Sequence, residues 1–422
     1  MLSRRLILLL CLIFTTFFSL TIFQSSPAFY VSHVKPQFDN LYSTTLEATK
    51  DVRAALANAQ LLSADKQIVS EDPESEFFPF LESSVDQLPN FERLSIAPYN
   101  VYRGNAKGLD TKLFIAFGRN WFMLQQCIVS YIAAGWPASD ITVFDNSGTM
   151  TANLKGQLSI ENPAYVNVTR LRQFGVHYER TPALLTFSQL QNYFLSTAMD
   201  RGLDYYFWGH MDVAVIGDET AEPYRSFYEN ILADLRTTVH NLDNWVLHFY
   251  NFDWLTLVNT KSYDLMGAWD TSIPYYTSDC DFYSRVTMWG EEFKNGFDLK
   301  SIEMPSIYDS VQPLADLSVF FPADEHESRN STRHQKLSRT LIHGQALKGG
   351  GDNRNRWQNV QTGGQGEPYY KGPNVQDVTF DHLNSVGREI FEMKWHTGGS
   401  CPAFDAGRRL KDILSRVKDS GH

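Results

Sequence analysis

The sequence predicts an α/β fold built on a mainly parallel sheet flanked by helices. Three observations carry this prediction. The runs LFIAF (113–117), DITVF (140–144) and YYFW (205–208) are short and almost wholly apolar, as strands buried on both faces are. Segments of helical periodicity separate them. The strand–helix–strand–helix–strand spacing suits crossover connections in one sheet.

The elements follow in order from Thr111. Leu113–Phe117 is the opening strand, and Gly118-Arg119-Asn120 turns the chain. Trp121 to Trp136 reads as a helix with a Gly-Trp-Pro stop. Asp140–Phe144 is the second strand and runs into Asp145-Asn146-Ser147-Gly148. Thr186 to Arg201 is a helix closed by Gly202, and Tyr205–Trp208 is the third strand. In such sheets ligands sit beyond the carboxyl ends of the strands, so Arg119, Asp145, Asn146 and the residues after Trp208 are expected to share a crevice. Ser278 to Trp289 reads as a further helix, capped by Thr277, Ser278 or Asp279 and ended by Gly290, with Phe282, Val286 and Trp289 as its buried stripe. The segment 344–372 holds eight of the chain's 26 glycines and reads as a long flexible loop.

The N-terminal part differs. Residues 6–23, LILLLCLIFTTFFSLTIF, carry no charge, and as a helix they span about 27 Å, near the thickness of a thin bilayer core. Arg4 and Arg5 precede them, so residues 1–5 are expected to stay cytoplasmic and the rest to face the lumen. A cleaved signal peptide fits less well, because the run is long and no clean small-x-small site follows. Residues 24–108 read as a stem and 109–422 as one catalytic-type domain.

Composition narrows the function. With 37 basic and 48 acidic side chains, net charge −11, the chain lacks the basic footprint of a nucleic-acid binder. A mean hydropathy of −0.30 excludes a multi-span membrane protein. Cys11 lies in the apolar run, which leaves Cys127, Cys280 and Cys401, so at most one intrachain pair forms among them. Asn167-Val168-Thr169 and Asn330-Ser331-Thr332 are glycosylation sequons suited to a lumenal chain.

Two clusters carry acid chemistry. Gly209-His210-Met211-Asp212-Val213 follows the third strand directly, where Asp212 is placed to ligate a hard divalent cation beside a departing diphosphate. In Ser278-Asp279-Cys280-Asp281 a carboxylate can cap the helix and still take a proton from an acceptor hydroxyl. Trp245 to Asp270 mixes aromatic rings with polar groups, including Asp253, Trp269 and Asp270, a composition that suits either a sugar or a packed core. His396, after Lys394-Trp395, is a late candidate metal ligand.

Taken together, Thr111 to Trp395 resembles the GT-A (Rossmann-like) superfamily of nucleotide-sugar glycosyltransferases. His210-Met211-Asp212 resembles the family's Asp-x-Asp metal motif with the first acid replaced. Gly267-Ala268-Trp269-Asp270 is similar to its acceptor-site motif, and Asp279-x-Asp281-Phe282-x-x-Arg285 to its acidic segment with Ser278 in place of Glu. The resemblance implies Asp279 as general base with Asp281 in reserve, and Asp212 and His396 on Mn2+ or Mg2+. It places Arg119, Asp145, Asn146, His210 and Arg285 on the donor, and Asp253, Trp269 and Asp270 on the acceptor. The tail, anchor, stem and catalytic layout resembles type II Golgi enzymes that transfer sugars to glycans or glycoproteins, fungal members among them. The alternatives are a non-catalytic Golgi protein of the same fold that binds glycans or scaffolds a complex, and, with less support, a glycoside hydrolase.

Overall fold

The computed structural model describes residues 95–409, apart from 105, 107, 240–244, 294–298, 303, 305, 310–311, 325, 350–362, 368–374 and 404. The expected tail, anchor and most of the stem (1–94) lie outside the described residues. Among the described residues no helix is long and apolar enough to cross a membrane.

Nine strands are described: β1 Leu113–Phe117, β2 Ile141–Asp145, β3 His177–Arg180, β4 Tyr205–Gly209, β5 Val213–Val215, β6 Leu247–Tyr250, β7 Leu255–Asn259, β8 Leu299–Ile302 and β9 Ile307–Asp309. The α-helices are α1 Trp121–Ala133, α2 Met150–Leu154, α3 Val168–Gln173, α4 Phe187–Asp200, α5 Phe227–Thr238, α6 Thr260–Leu265, α7 Ser278–Phe293, α8 Thr332–Gly349 and α9 Val375–Trp395.

The main sheet has seven strands in the order β3-β2-β1-β4-β7-β6-β8. Pairings β3/β2, β2/β1, β1/β4 and β6/β8 are parallel, while β7 is antiparallel to both β4 and β6. The α/β class and the mainly parallel sheet agree with the sequence reading. β2 and β3 extend to one side of β1 and β4 lies on the other, so the strand order reverses between β1 and β4. That reversal opens a crevice at the carboxyl ends of these strands.

Both sheet faces are covered, which is why the strand runs are continuously apolar rather than alternating. Leu113, Ile115 and Phe117 of β1 join a core with Leu124, Ile128 and Tyr131 of α1 and Ile231 and Leu235 of α5. Phe114 points to the opposite core, with Phe194 of α4, Tyr206 and Trp208 of β4 and Phe282 of α7. Its ring stacks on Tyr206 at 5.2 Å.

α1 ends at Ala133, three residues earlier than expected, in a Gly-Trp-Pro corner. Gly135 has φ +97°, and a Cβ there would lie 2.4 Å from the Asn100 carbonyl oxygen, so glycine is required. Trp136 then turns inward and donates from Nε1 to the Thr111 carbonyl (3.1 Å). α4 carries a capping box between Thr186 and Gln189.

Two further boundaries differ from expectation. α7 runs through Gly290 to Phe293. Residues 344–349, read as the start of a glycine-rich loop, form the last turns of α8. Of the remainder, 363–367 are described, and Glu367 accepts there from Ser159 N and Asn162 Nδ2 (3.1 Å each). A second ribbon pairs β5 with β9, antiparallel, and sets Val213 opposite Asp309.

Candidate functional site

A cleft of about 370 Å³ opens where β1, β2 and β4 end. Arg119 enters it from the turn after β1, Asn146 and Ser147 from the turn after β2, and His210, Met211 and Asp212 from the segment after β4. Phe252, Asp253 and Trp254 come from the turn between β6 and β7, and Tyr275, Tyr276, Ser278 and Asp279 from the start of α7. Asp309 of β9 and Lys348 of α8 complete the polar lining. Leu184, Leu185, Phe187 and Leu190 make an apolar wall, and Phe380 of α9 faces the rim.

Local geometry explains how these side chains are presented. Asn120 adopts φ +69° and caps α1 by accepting from Met123 N, so the chain turns sharply after β1 and Arg119 falls in that turn. Asn146 clamps a neighbouring segment: its Nδ2 donates to the Leu185 carbonyl (2.9 Å), and its Oδ1 accepts from Leu185 N (2.8 Å). Asn251 and Phe252 have consecutive positive φ values, +56° and +58°, a strained arrangement in the turn that carries Phe252, 47% exposed, to the cleft.

The charged groups form one cluster. Lys348 Nζ donates to Asp212 Oδ2 at 2.5 Å and also to Asp309 Oδ1. His210 Nε2 lies 3.7 Å from Asp253 Oδ1, and no hydrogen-bond partner for this buried atom is found among the described residues. Burial alone would push the His210 imidazole down, but Asp253, Asp212 and Asp309 outweigh it and hold it above its usual range. Burial and the Asp212 charge raise the Asp309 carboxyl to about 6 against the pull of Lys348. Burial works the same way on Asp212, but there Lys348 and His210 prevail and lower it. Two carboxylates sharing one ammonium thus separate in acidity, a pattern characteristic of functional clefts.

Six of the predicted site residues meet here: Arg119, Asn146, His210, Asp212, Asp253 and Asp279. The other six do not line the cleft. Asp145 is fully buried beneath it and accepts from Ser147 N (3.0 Å), Asn153 Nδ2 (3.1 Å) and Tyr178 OH (2.8 Å). Asp281 is also fully buried and bonds Arg285 Nε (3.0 Å), Trp395 Nε1 (2.8 Å) and Lys394 Nζ (2.7 Å). Arg285 donates in addition to the carbonyls of Met266 (2.6 Å) and Ala268. Trp269 is a core residue stacked on Phe282 at 5.2 Å, with its Nε1 on Tyr263 OH. Asp270 pairs with Lys394 (2.8 Å). His396 follows α9 with φ +49°, exposed, and its carbonyl accepts from Arg408. These six brace the site or lie apart from it, because their polar atoms are already engaged or face elsewhere.

The donor set only partly suits the expected Mn2+ or Mg2+. Asp212 and Asp309 supply the oxygen chemistry of a hard cation. Lys348, however, already bridges them, and His396 is not beside them. Among the described residues no group of three or more His, Cys, Asp and Glu side chains is arranged to hold a metal ion. The side chains as placed do not fit a divalent ion.

Asp309 and Lys348 were missed by sequence reasoning. Neither sits in a local motif, and Lys348 adjoins glycines that mimic a loop.

The sequence matches no protein-family model and no curated protein. Its structure is similar to several solved ones. A cytidylyltransferase from Leptospira borgpetersenii matches with TM-score 0.31 and 12% identity, over 56% of this chain and 97% of that one. A mannosyltransferase from Pyrobaculum calidifontis, solved with GDP-Man and Mn2+, gives 0.30 and 11%, over 74% and 81%. The catalytic domain of Drosophila beta-1,4-galactosyltransferase 7, solved with xylobiose, gives 0.22 and 14%, over 55% and 79%. These likenesses are of chain path and say nothing of chemistry.

Proposed function

We propose that the chain is a nucleotide-sugar glycosyltransferase of GT-A type, which moves a sugar to a hydroxyl of a glycan or glycoprotein. One observation carries this reading. A single cleft at the strand-order reversal gathers Arg119, Asn146, His210, Asp212, Asp253 and Asp279 from five separate segments. The nucleoside packs against Asn146, Ser147 and the Leu184–Leu185 wall. The diphosphate lies toward Arg119, His210 and Lys348, the cationic groups in the cleft lining. Asp279 takes the acceptor hydroxyl's proton as that oxygen attacks the anomeric carbon. The bond from that carbon to the diphosphate oxygen breaks, with inversion. Asp253 is the acceptor contact in this reading, and residues 6–23 anchor the protein in the Golgi membrane with this domain in the lumen.

The experiment is a thermal-shift screen of nucleotide sugars, with and without Mn2+, followed by donor turnover assays. A ligand that binds only the folded state raises the melting temperature and identifies the donor. Binding without transfer or hydrolysis would favour the non-catalytic glycan-binding alternative. No response to any nucleotide sugar would remove the reading.

A further inference from the structure

The cluster around Lys348 has features that an incidental surface ion pair lacks. Asp212 and Lys348 are each only 8% exposed. The two carboxylates come from different elements, and the β5/β9 register brings them together by pairing Val213 with Asp309. Two anions this close in a half-buried cleft need a cation between them. Lys348 supplies it from the last turn of α8, where the helix dipole favours positive charge. An ammonium is a compact point charge with three donors, so it can hold two carboxylates and still face a ligand. Lys348 also lines the cleft itself, so its charge is presented to whatever binds there.

We propose that the Lys348 ammonium occupies the position a divalent ion would take between Asp212 and Asp309, so that the cleft binds the diphosphate of its ligand without a metal ion. The diphosphate part rests on the nucleotide-sugar reading; the occupancy of the acid pair does not. Lys348 offsets part of the charge of the two acids in the resting protein and shares its own charge with phosphate oxygens when a nucleotide enters. Arg119, also in the cleft lining, adds a second positive charge. The degenerate His210-Met211-Asp212 motif fits this arrangement, since a tethered cation needs fewer acidic partners than a free one.

The test uses the purified full-length chain in two arms. In the first, Mn2+ alone is titrated and followed by electron paramagnetic resonance. The wild type is expected to take up no Mn2+ at the cleft. Lys348→Met is expected to gain one site, which the added Asp212→Asn change removes. One equivalent bound by the wild type and abolished by Asp212→Asn would overturn the proposal, as would the absence of a site in Lys348→Met. If Lys348→Met does not fold, the wild type and Lys348→Arg decide, and both are expected to reject the ion. In the second arm, UDP, GDP and CDP are titrated in EDTA and in Mn2+. Equal affinity in both is expected, with a loss of about tenfold or more in Lys348→Met. Binding that requires Mn2+ would overturn the proposal. If no nucleotide binds in either buffer, the nucleotide-sugar reading fails, while the Mn2+ arm still decides what occupies the acid pair.

Discussion

Trp395 Nε1 donates to Asp281 Oδ1 at 2.8 Å and joins the C-terminal helix α9 to α7 across 114 residues of sequence. The other carboxylate oxygen meets Arg285 Nε at 3.0 Å. Asp281 is thus a structural anion. Its removal leaves the buried Trp395 Nε1 without this acceptor and takes from Arg285 its carboxylate partner, while Asp270 still holds Lys394. Asp281→Ala is expected to cost about 3–5 kcal/mol, read by urea unfolding. Asp279→Asn, two residues away in the cleft lining, is expected to stay within about 1 kcal/mol of the wild type and to lose turnover. Stability losses in the reverse order would exchange the two roles.

Cys280 lies between these acids and is disulfide-bonded to Cys401, 121 residues away, while Cys127 is a buried free thiol. The bond pins the first turn of α7 to the segment after α9 and so holds Asp279 in register with the cleft. A closure of this length restricts the unfolded chain strongly. The paired Cys280→Ser and Cys401→Ser change is expected to cost about 2–5 kcal/mol. Thiol titration of the denatured, unreduced protein checks the pairing: neither Cys280 nor Cys401 should react.

What was legible in the sequence follows from which residues are local. β1, β2 and β4 could be read because each is buried on both faces, and the crevice could be placed from their carboxyl ends alone. β7 is not legible, since Leu255–Asn259 lies inside an aromatic and polar stretch whose composition suits a sugar as well as a packed core. Trp269 had the composition of a sugar platform, but stacks on Phe282 in the core. The partnership of Lys348 with Asp212 spans 136 residues, and no pattern in either neighbourhood announces it. The motif resemblance puts Asp279 ahead of Asp281 as base, but the physical reason lies far away in sequence: Asp281 is buried against Trp395 of α9, while Asp279 lines the cleft.

Asp234 on α5 gives a pH prediction away from the cleft. Its carboxylate meets His248 Nδ1 (3.0 Å), Tyr250 OH (2.8 Å) and, more loosely, Lys300 Nζ (3.6 Å). Burial alone would raise its pKa, but the hydrogen bonds and charges of His248, Tyr250 and Lys300 bring it below the usual carboxylate range. A depressed folded-state value adds stability that is present above the unfolded pKa of about 3.9 and lost as pH falls through the folded value. Asp234→Asn is therefore expected to be less stable than the wild type at neutral pH. The gap should close as pH drops below about 4. Urea midpoints across that range check it; a gap that widens in acid would contradict the assignment.

Asp145 provides the sharpest test of how the Asn146 end of the cleft is built. Its carboxylate is fully buried and accepts from Ser147 N, Asn153 Nδ2 and Tyr178 OH. Burial and the Asp145 charge push the Tyr178 hydroxyl well above its usual range, so Tyr178 remains a donor. The carboxylate therefore shapes the turn that carries Asn146 and Ser147 into the cleft, and Asn146 in turn fixes Leu185 on the apolar wall. Asp145→Ala takes the side-chain acceptor from Ser147 N and Tyr178 OH, while Asn153 Nδ2 keeps the Ala164 carbonyl (2.8 Å); a buried donor left unpaired costs about 1–3 kcal/mol unless the turn relaxes. Stability and nucleotide affinity are thus expected to fall together. Asp145→Asn is expected to be milder, because the Tyr178 hydroxyl can rotate to accept from the new amide. Melting temperature and nucleotide titration on the same samples separate the two possible roles. Lost affinity at unchanged melting temperature would mean that Asp145 touches the nucleoside itself.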